Sequence, residues 1–240
     1  MAYRELPPPP GLAAVVRCLW VREAGAGEEV LVLPDGCVDV VVRDGRATVA
    51  GPDTGPVESV MPASAVVAGV RFHPGAAEAV LGVPADVLRD LRVPLEDLWG
   101  ATGRLVGERA GTDPAALAAA LARRLARGPD PRVVGAASLL ARTPHLPVPA
   151  VADAVGLGER QLRRAFTAGV GYGPRTFARV MRFRRALELL ERGEAPARAA
   201  ADAGYADQPH MTRELGALAG RTPGAFRAGR QGAPRPVRSG

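Results

Sequence analysis

Residues 155–166 read Val-Gly-Leu-Gly-Glu-Arg-Gln-Leu-Arg-Arg-Ala-Phe, and residues 203–215 read Ala-Gly-Tyr-Ala-Asp-Gln-Pro-His-Met-Thr-Arg-Glu-Leu. Each stretch begins at a turn glycine and runs into an amphipathic helix. Leu162 and Phe166 stand 6 and 10 residues past Gly156; Met211 and Leu215 stand 7 and 11 past Gly204. A spacing of four puts each pair on one helix face. The outer faces then carry Arg160, Gln161, Arg163 and Arg164 in the first copy, and Gln208, His210, Thr212 and Arg213 in the second. A short glycine turn between two helices, the later one with a polar outer face, is a helix-turn-helix pattern. It occurs twice.

Working outward, each copy has a short apolar helix before its turn. The first spans 147–155, with Val148, Val151, Ala152 and Val155; the second spans 196–203, with Ala199 and Ala200. An earlier helix is expected over 133–142. Between the copies a long helix is expected over 174–191, with Pro174 suited to its first turn. Phe177, Val180, Met181, Ala186, Leu187 and Leu190 give it apolar contacts for both copies, and Arg175, Arg179, Arg182, Arg184 and Arg185 make it strongly basic. Such a connector holds two reading helices at a fixed separation, and successive major grooves on one face of DNA recur about every 34 Å.

Residues 131–228 resemble the DNA-binding domain of the AraC/XylS family of bacterial transcription regulators. The likeness rests on Leu157, the run 160–166, Gly171, Pro174, Phe177, Arg182, Arg185-Ala186 and Leu189-Leu190. It continues through Ala199-Ala200, Ala203-Gly204-Tyr205, Asp207-Gln208, His210, Arg213, Gly220-Arg221-Thr222-Pro223 and Phe226. It implies an all-α, seven-helix domain over 129–230, with reading helices near 159–168 and 208–218. By position, Arg160, Gln161, Arg163, Arg164, Gln208, His210, Thr212 and Arg213 become the DNA-contacting residues. Arginine suits guanine O6/N7 and glutamine suits adenine, while some arginines meet phosphate instead. Two positions depart from the family. Gly158 stands where a Ser or Thr cap is usual, and glycine caps only slightly less well. Pro209 occupies the first helical turn, where proline is tolerated.

The N-terminal half reads differently. Residues 7–10 are four prolines, an extended lead-in. Residues 12–21 read as a turn and then a strand ending at Trp20. Short β-rich runs follow at 29–33, 37–43, 46–50 and 65–72, with turns at Pro34-Asp35-Gly36 and Asp44-Gly45. Helices are expected over 75–81, 95–106 and 115–127, the last capped by Asp113. The Pro34-Asp35-Gly36 segment with Asp39, and the run 69–77, resemble a poorly characterised N-terminal domain in one AraC/XylS subgroup, which implies a small cupin-like β-barrel. The overall expectation is an α+β chain of two domains. A β-barrel with helices over 1–128 binds an effector or dimerises, the double helix-turn-helix occupies 129–230, and a disordered tail follows over 231–240. Asp39, Arg71 and His73 are the candidate effector contacts.

Charge supports the division. All 31 basic residues are arginine; residues 1–128 hold 13 of them against 16 carboxylates, net −3, and residues 129–240 hold 18 against 9, net +9. The basic half fits a polyanionic partner. Two cysteines in apolar runs read as free buried thiols of a reducing, cytoplasmic compartment. No apolar run is long enough to span a membrane. No phosphate-binding loop, dinucleotide fingerprint, paired catalytic set or closed metal set occurs, so neither enzyme activity, cofactor nor metal is expected. The expected partners are double-stranded DNA through its major groove, a small-molecule effector, RNA polymerase and a second copy of the chain. The alternatives are an N-terminal domain that only dimerises or contacts polymerase, a nonspecific architectural DNA binder, and a DNA-repair methyl acceptor using Cys18 or Cys37.

Overall fold

Asp44 and Gly45 both take left-handed backbone angles (φ 51° and 70°), as a two-residue hairpin turn requires. They join β4 (Asp39–Arg43) to β5 (Arg46–Ala50). Around this hairpin an antiparallel sheet assembles with β1 (Ala2–Leu6), β2 (Val16–Glu23), β7 (Val66–Phe72) and β8 (Arg92–Pro94), in the order β1-β2-β7-β4-β5-β8. The remaining strands, β3 (Glu28–Val32) and β6 (Val57–Met61), pair only with each other. The computed structural model describes residues 2–125, 127–222, 224 and 226.

The pleat divides the large sheet into two chemistries. One row of cross-strand neighbours runs Leu19–Val70–Val40–Val49–Val93. It packs, with Phe72, against α1 (Glu78–Leu81), α2 (Leu95–Trp99), α3 (Ala101–Ala110) and α4 (Pro114–Ala122). The next row, on the opposite face, runs Cys18–Arg71–Asp39–Ala50–Arg92. On that face Cys18, Trp20 and Val67 form a second small core with Met61 and Val30 of the β3–β6 pair.

The barrel expected for this half is not formed. The sheets are open: β1 and β8 are opposite edges of the large sheet and do not pair, and β8 has three residues ending in Pro94. Helices cover the apolar face that a barrel would close upon itself, and the β3–β6 pair forms a separate two-stranded sheet. Other expectations shift locally. The helix expected over 95–106 is interrupted at Gly100, and β2 runs past Trp20 to Glu23. β4 starts at Asp39 because Asp35 Oδ1 accepts the Cys37 amide (2.9 Å) and bends the chain first.

The C-terminal part is helical throughout its described residues: α5 (Pro131–Arg142), α6 (Val148–Ala154), α7 (Glu159–Val170), α8 (Pro174–Glu191), α9 (Pro196–Ala203) and α10 (Gln208–Ala219). The expected seventh helix falls beyond these. Gly224 and Phe226 are helical, while the rest of that segment and the tail over 231–240 lie outside the described residues. The long helix α8 serves two cores in turn. Phe177, Ala178 and Val180 pack with α5–α7, and Phe183, Ala186, Leu187 and Leu190 pack with α9 and α10. At 1.5 Å per residue its 18 residues span about 27 Å.

The β half rests on this helical platform. Gly36 (φ 79°) lies so close to α8 that a Cβ there would fall 2.6 Å from Phe177 Cε2. Leu33 packs against the core of α8–α10. Gly171, the left-handed residue ending α7, leaves no room for a Cβ beside Pro52 (2.3 Å), and Arg89 Nη1 donates to its carbonyl (3.4 Å). No described helix is long and apolar enough to cross a membrane.

Candidate nucleic-acid interface

Helix α7 starts at Gly158, which has no side chain to offer the first-turn amides. Only the reciprocal half of a capping box forms: the Gly158 N–H donates to Gln161 Oε1 (3.2 Å). Leu162, Phe166 and Val170 are buried beneath the helix. Arg160, Gln161 and Arg164 are exposed on its outer side and line one surface depression. Arg163 is half-buried and bonded to Glu159 one turn earlier (Nε–Oε1 2.9 Å).

Helix α10 is capped by Asp207, whose Oδ1 accepts the His210 amide (2.6 Å), and Pro209 fits the first turn. Met211, Leu215 and Leu218 face inward. Gln208 and Arg213 are exposed. Thr212 is turned back on its own helix, with Oγ1 donating to the Gln208 carbonyl (3.0 Å). His210 is half-buried; its ring meets Tyr205 edge-on at 5.2 Å, and Nε2 lies 3.8 Å from Glu214 Oε1.

The eight candidates thus divide. Arg160, Gln161, Arg164, Gln208 and Arg213 lie open on two outer helix faces, whereas Arg163, His210 and Thr212 are tied to their own helix. Among the described residues Arg160, Arg164 and Arg213 have no ion pair or hydrogen bond, so these guanidiniums remain available to a polyanion. Sequence reasoning missed Glu214, the acceptor that fastens α10 to α8. Its signal was its place one position before inward-facing Leu215, but its partners Arg179 and Arg182 lie on another helix.

In the β half, Arg71 and Asp39 are cross-strand neighbours and form a forked ion pair (Nε–Oδ1 3.0 Å, Nη2–Oδ2 2.8 Å). Asp35 reaches Arg71 Nη1 from the other side (3.2 Å). Burial pushes the Asp39 carboxyl above its ordinary range, against the pull of Arg71. Burial acts upward on Asp35 too, but Arg71, Arg184 and the Cys37 amide outweigh it and hold Asp35 low. His73 is held apart from the pair, half-buried, with burial and nearby Arg17 lowering its pKa. Cys18 and Cys37 are buried and unlinked. Burial drives both thiols up, Cys18 to about 11. The thiolate a methyl acceptor needs is therefore scarce at neutral pH, which is consistent with a non-enzymatic role. No cluster of three metal-ligating side chains occurs among the described residues.

Two helix-turn-helix pairs on one connecting helix, with free guanidiniums on both outer faces, define a DNA-binding protein. Residues 151–229 match the family model of a helix-turn-helix domain, and residues 4–94 match that of a domain of unknown function, DUF6597. The chain thus carries a C-terminal helix-turn-helix domain beside an N-terminal accessory domain of unknown function. Several solved structures are similar to it. A Chromobacterium violaceum transcriptional regulator with an AraC-type DNA-binding domain is 26% identical, covering 43% of this chain and 96% of that one (TM-score 0.41). The C-terminal domain of AraT, a response regulator from Geobacillus stearothermophilus, is 19% identical over 46% of this chain and 94% of that one (TM-score 0.40). ToxT from Vibrio cholerae is 8% identical over 90% of this chain and 98% of that one (TM-score 0.48). No curated protein matches the chain.

Proposed function

We propose that this chain is a sequence-specific transcription regulator that reads two adjacent major grooves. The observation carrying this reading is the pair of open faces, Arg160/Arg164 and Gln208/Arg213, on two helices that both pack against one stiff helix. Gln161, Arg163, His210 and Thr212 complete the contact set once their intrahelical bonds exchange for DNA. The module boundary falls at Gly128, and residues 1–128 bind a small-molecule effector or pair with a second copy, RNA polymerase being a further partner.

A second reading of the N-terminal part has its own support. Both sides of Arg71 are already met by carboxylates, so an anionic effector at Asp39, Arg71 and His73 has to displace one of them. A part that acts through its contact with α8, or by dimerising, needs no such displacement.

The test is selection of DNA from a randomised duplex pool by the full chain. Enrichment of a two-box site is expected, and no enrichment over background sinks the specific-regulator reading. Arg164→Ala and Arg213→Ala should each lower affinity for the selected site by about tenfold or more and relax base preference in one box. Equal losses on selected and random DNA mark that arginine as a phosphate contact.

A further inference from the structure

The two reading helices are fixed to α8 by different means. Phe166 of α7 meets Phe177 of α8 edge-to-face at 5.5 Å, an interlock of large rings. Among the described residues the second core has no such ring pair between its reading helix and α8: Phe183, Leu187 and Leu190 of α8 meet Met211, Leu215 and Leu218 of α10, and α9 contributes only Ala199, Ala200 and Ala203. A polar cluster adds directional contact to this packing. Glu214 of α10, 12% exposed, accepts from Arg179 Nε of α8 at 3.0 Å and faces Arg182 Nη2 at 3.5 Å. Arg182 in turn lies over the Tyr205 ring at 5.5 Å, and Tyr205 supports His210. The Tyr205 hydroxyl is set against the Glu214 carboxylate, and among the described residues Arg182 Nε is buried without a hydrogen-bond partner.

Such a cluster is a poor device for stability alone. Replacing a buried ion group by apolar side chains is often neutral or stabilising, whereas removing one member strands the others. Its distinctive property is direction: a carboxylate shared by two guanidiniums has one good orientation. We propose that Glu214 is the positioning residue of the second reading helix, the shared acceptor through which Arg179 and Arg182 set the angle at which Gln208 and Arg213 meet DNA. This rests on the DNA-reading role of α10 proposed above and adds what aims it.

The experiment repeats the randomised-duplex selection with the full chain as wild type, Glu214→Gln and Glu214→Asp. The boxes are assigned beforehand by Arg164→Ala and Arg213→Ala. Glu214→Gln should keep base preference in the first box, lose it in the second, and bind the wild-type site about tenfold more weakly. Glu214→Asp, which keeps the charge, should recover part of the second-box preference. The retained first box reports a folded chain. If Glu214→Gln selects both boxes as the wild type does, the proposal is overturned while DNA reading by α10 stands. Loss of both boxes together also overturns it, because Glu214 would then serve only to fold the domain. A wild-type chain that enriches nothing overturns the DNA-reading role and this proposal with it.

Discussion

The first helix pair sits on α8 through aromatic packing, the second through an apolar core to which a charged cluster is added. Phe166, Phe177 and Tyr172 interlock beneath α7, and the β half braces the same region at Gly36 and Gly171. Beneath α10 the side chains of α9 are alanines, and Glu214 supplies the directional contacts. Sequence repetition therefore does not imply mechanical repetition. Ring packing resists salt and tolerates little displacement, whereas an ion cluster has orientation written into it and responds to the loss of a single charge.

The largest change that breaks this contrast is Phe177→Ala. It removes a fully buried ring from the first core and from beneath Gly36, and should cost about 3–5 kcal/mol in denaturant unfolding. Amide exchange should then rise in 159–170 more than in 208–219.

Next is Arg71→Met, which acts on the brace. It leaves Asp35 and Asp39 facing each other without the guanidinium between them, at about 3 kcal/mol at pH 7. Both carboxyls then have folded pKa values above their unfolded ones. Their contribution is favourable when protonated and is lost as pH rises through the folded values. The deficit relative to wild type should shrink from pH 7 to about pH 4, read from urea midpoints at each pH. A constant deficit would place the effect in packing alone.

The smallest change sharpens the contrast. Gly158→Ser restores a side-chain cap to α7, in an extended backbone with space for it, and should add a few tenths of a kcal/mol. Thermal unfolding would resolve that gain. DNA preference in the second box should not move.

The helical half was legible because its signals are local. Turn glycines, four-residue apolar spacing and acidic caps each act within one or two turns, and they place α7 and α10 to within a residue or two. Phe183 was overlooked because it stands alone among Arg182, Arg184 and Arg185, yet it is fully buried in the second core. The β half depends on pairings far apart in sequence. Residues 2–6, just before the proline lead-in, carry no strand signal of their own but form β1 against residues 19–23, and the weak alternation of 57–61 hid β6. Whether such strands close into a barrel is decided by which edges meet, and no short stretch encodes that. Asp39 and Arg71 were legible as unusual polar residues in apolar strands. That they neutralise one another follows only from the β4–β7 register.

Gly171 carries two unrelated duties. As the end of α7 it needs a left-handed backbone, which asparagine can also supply. As the neighbour of Pro52 it must have no side chain at all. In a helix domain that stood alone only the first duty would apply, and asparagine would be admitted. With the β half resting on the platform in this way, the position is held to glycine. A single alignment column, compared between chains with and without the accessory domain, would therefore record whether the two halves have evolved as docked bodies.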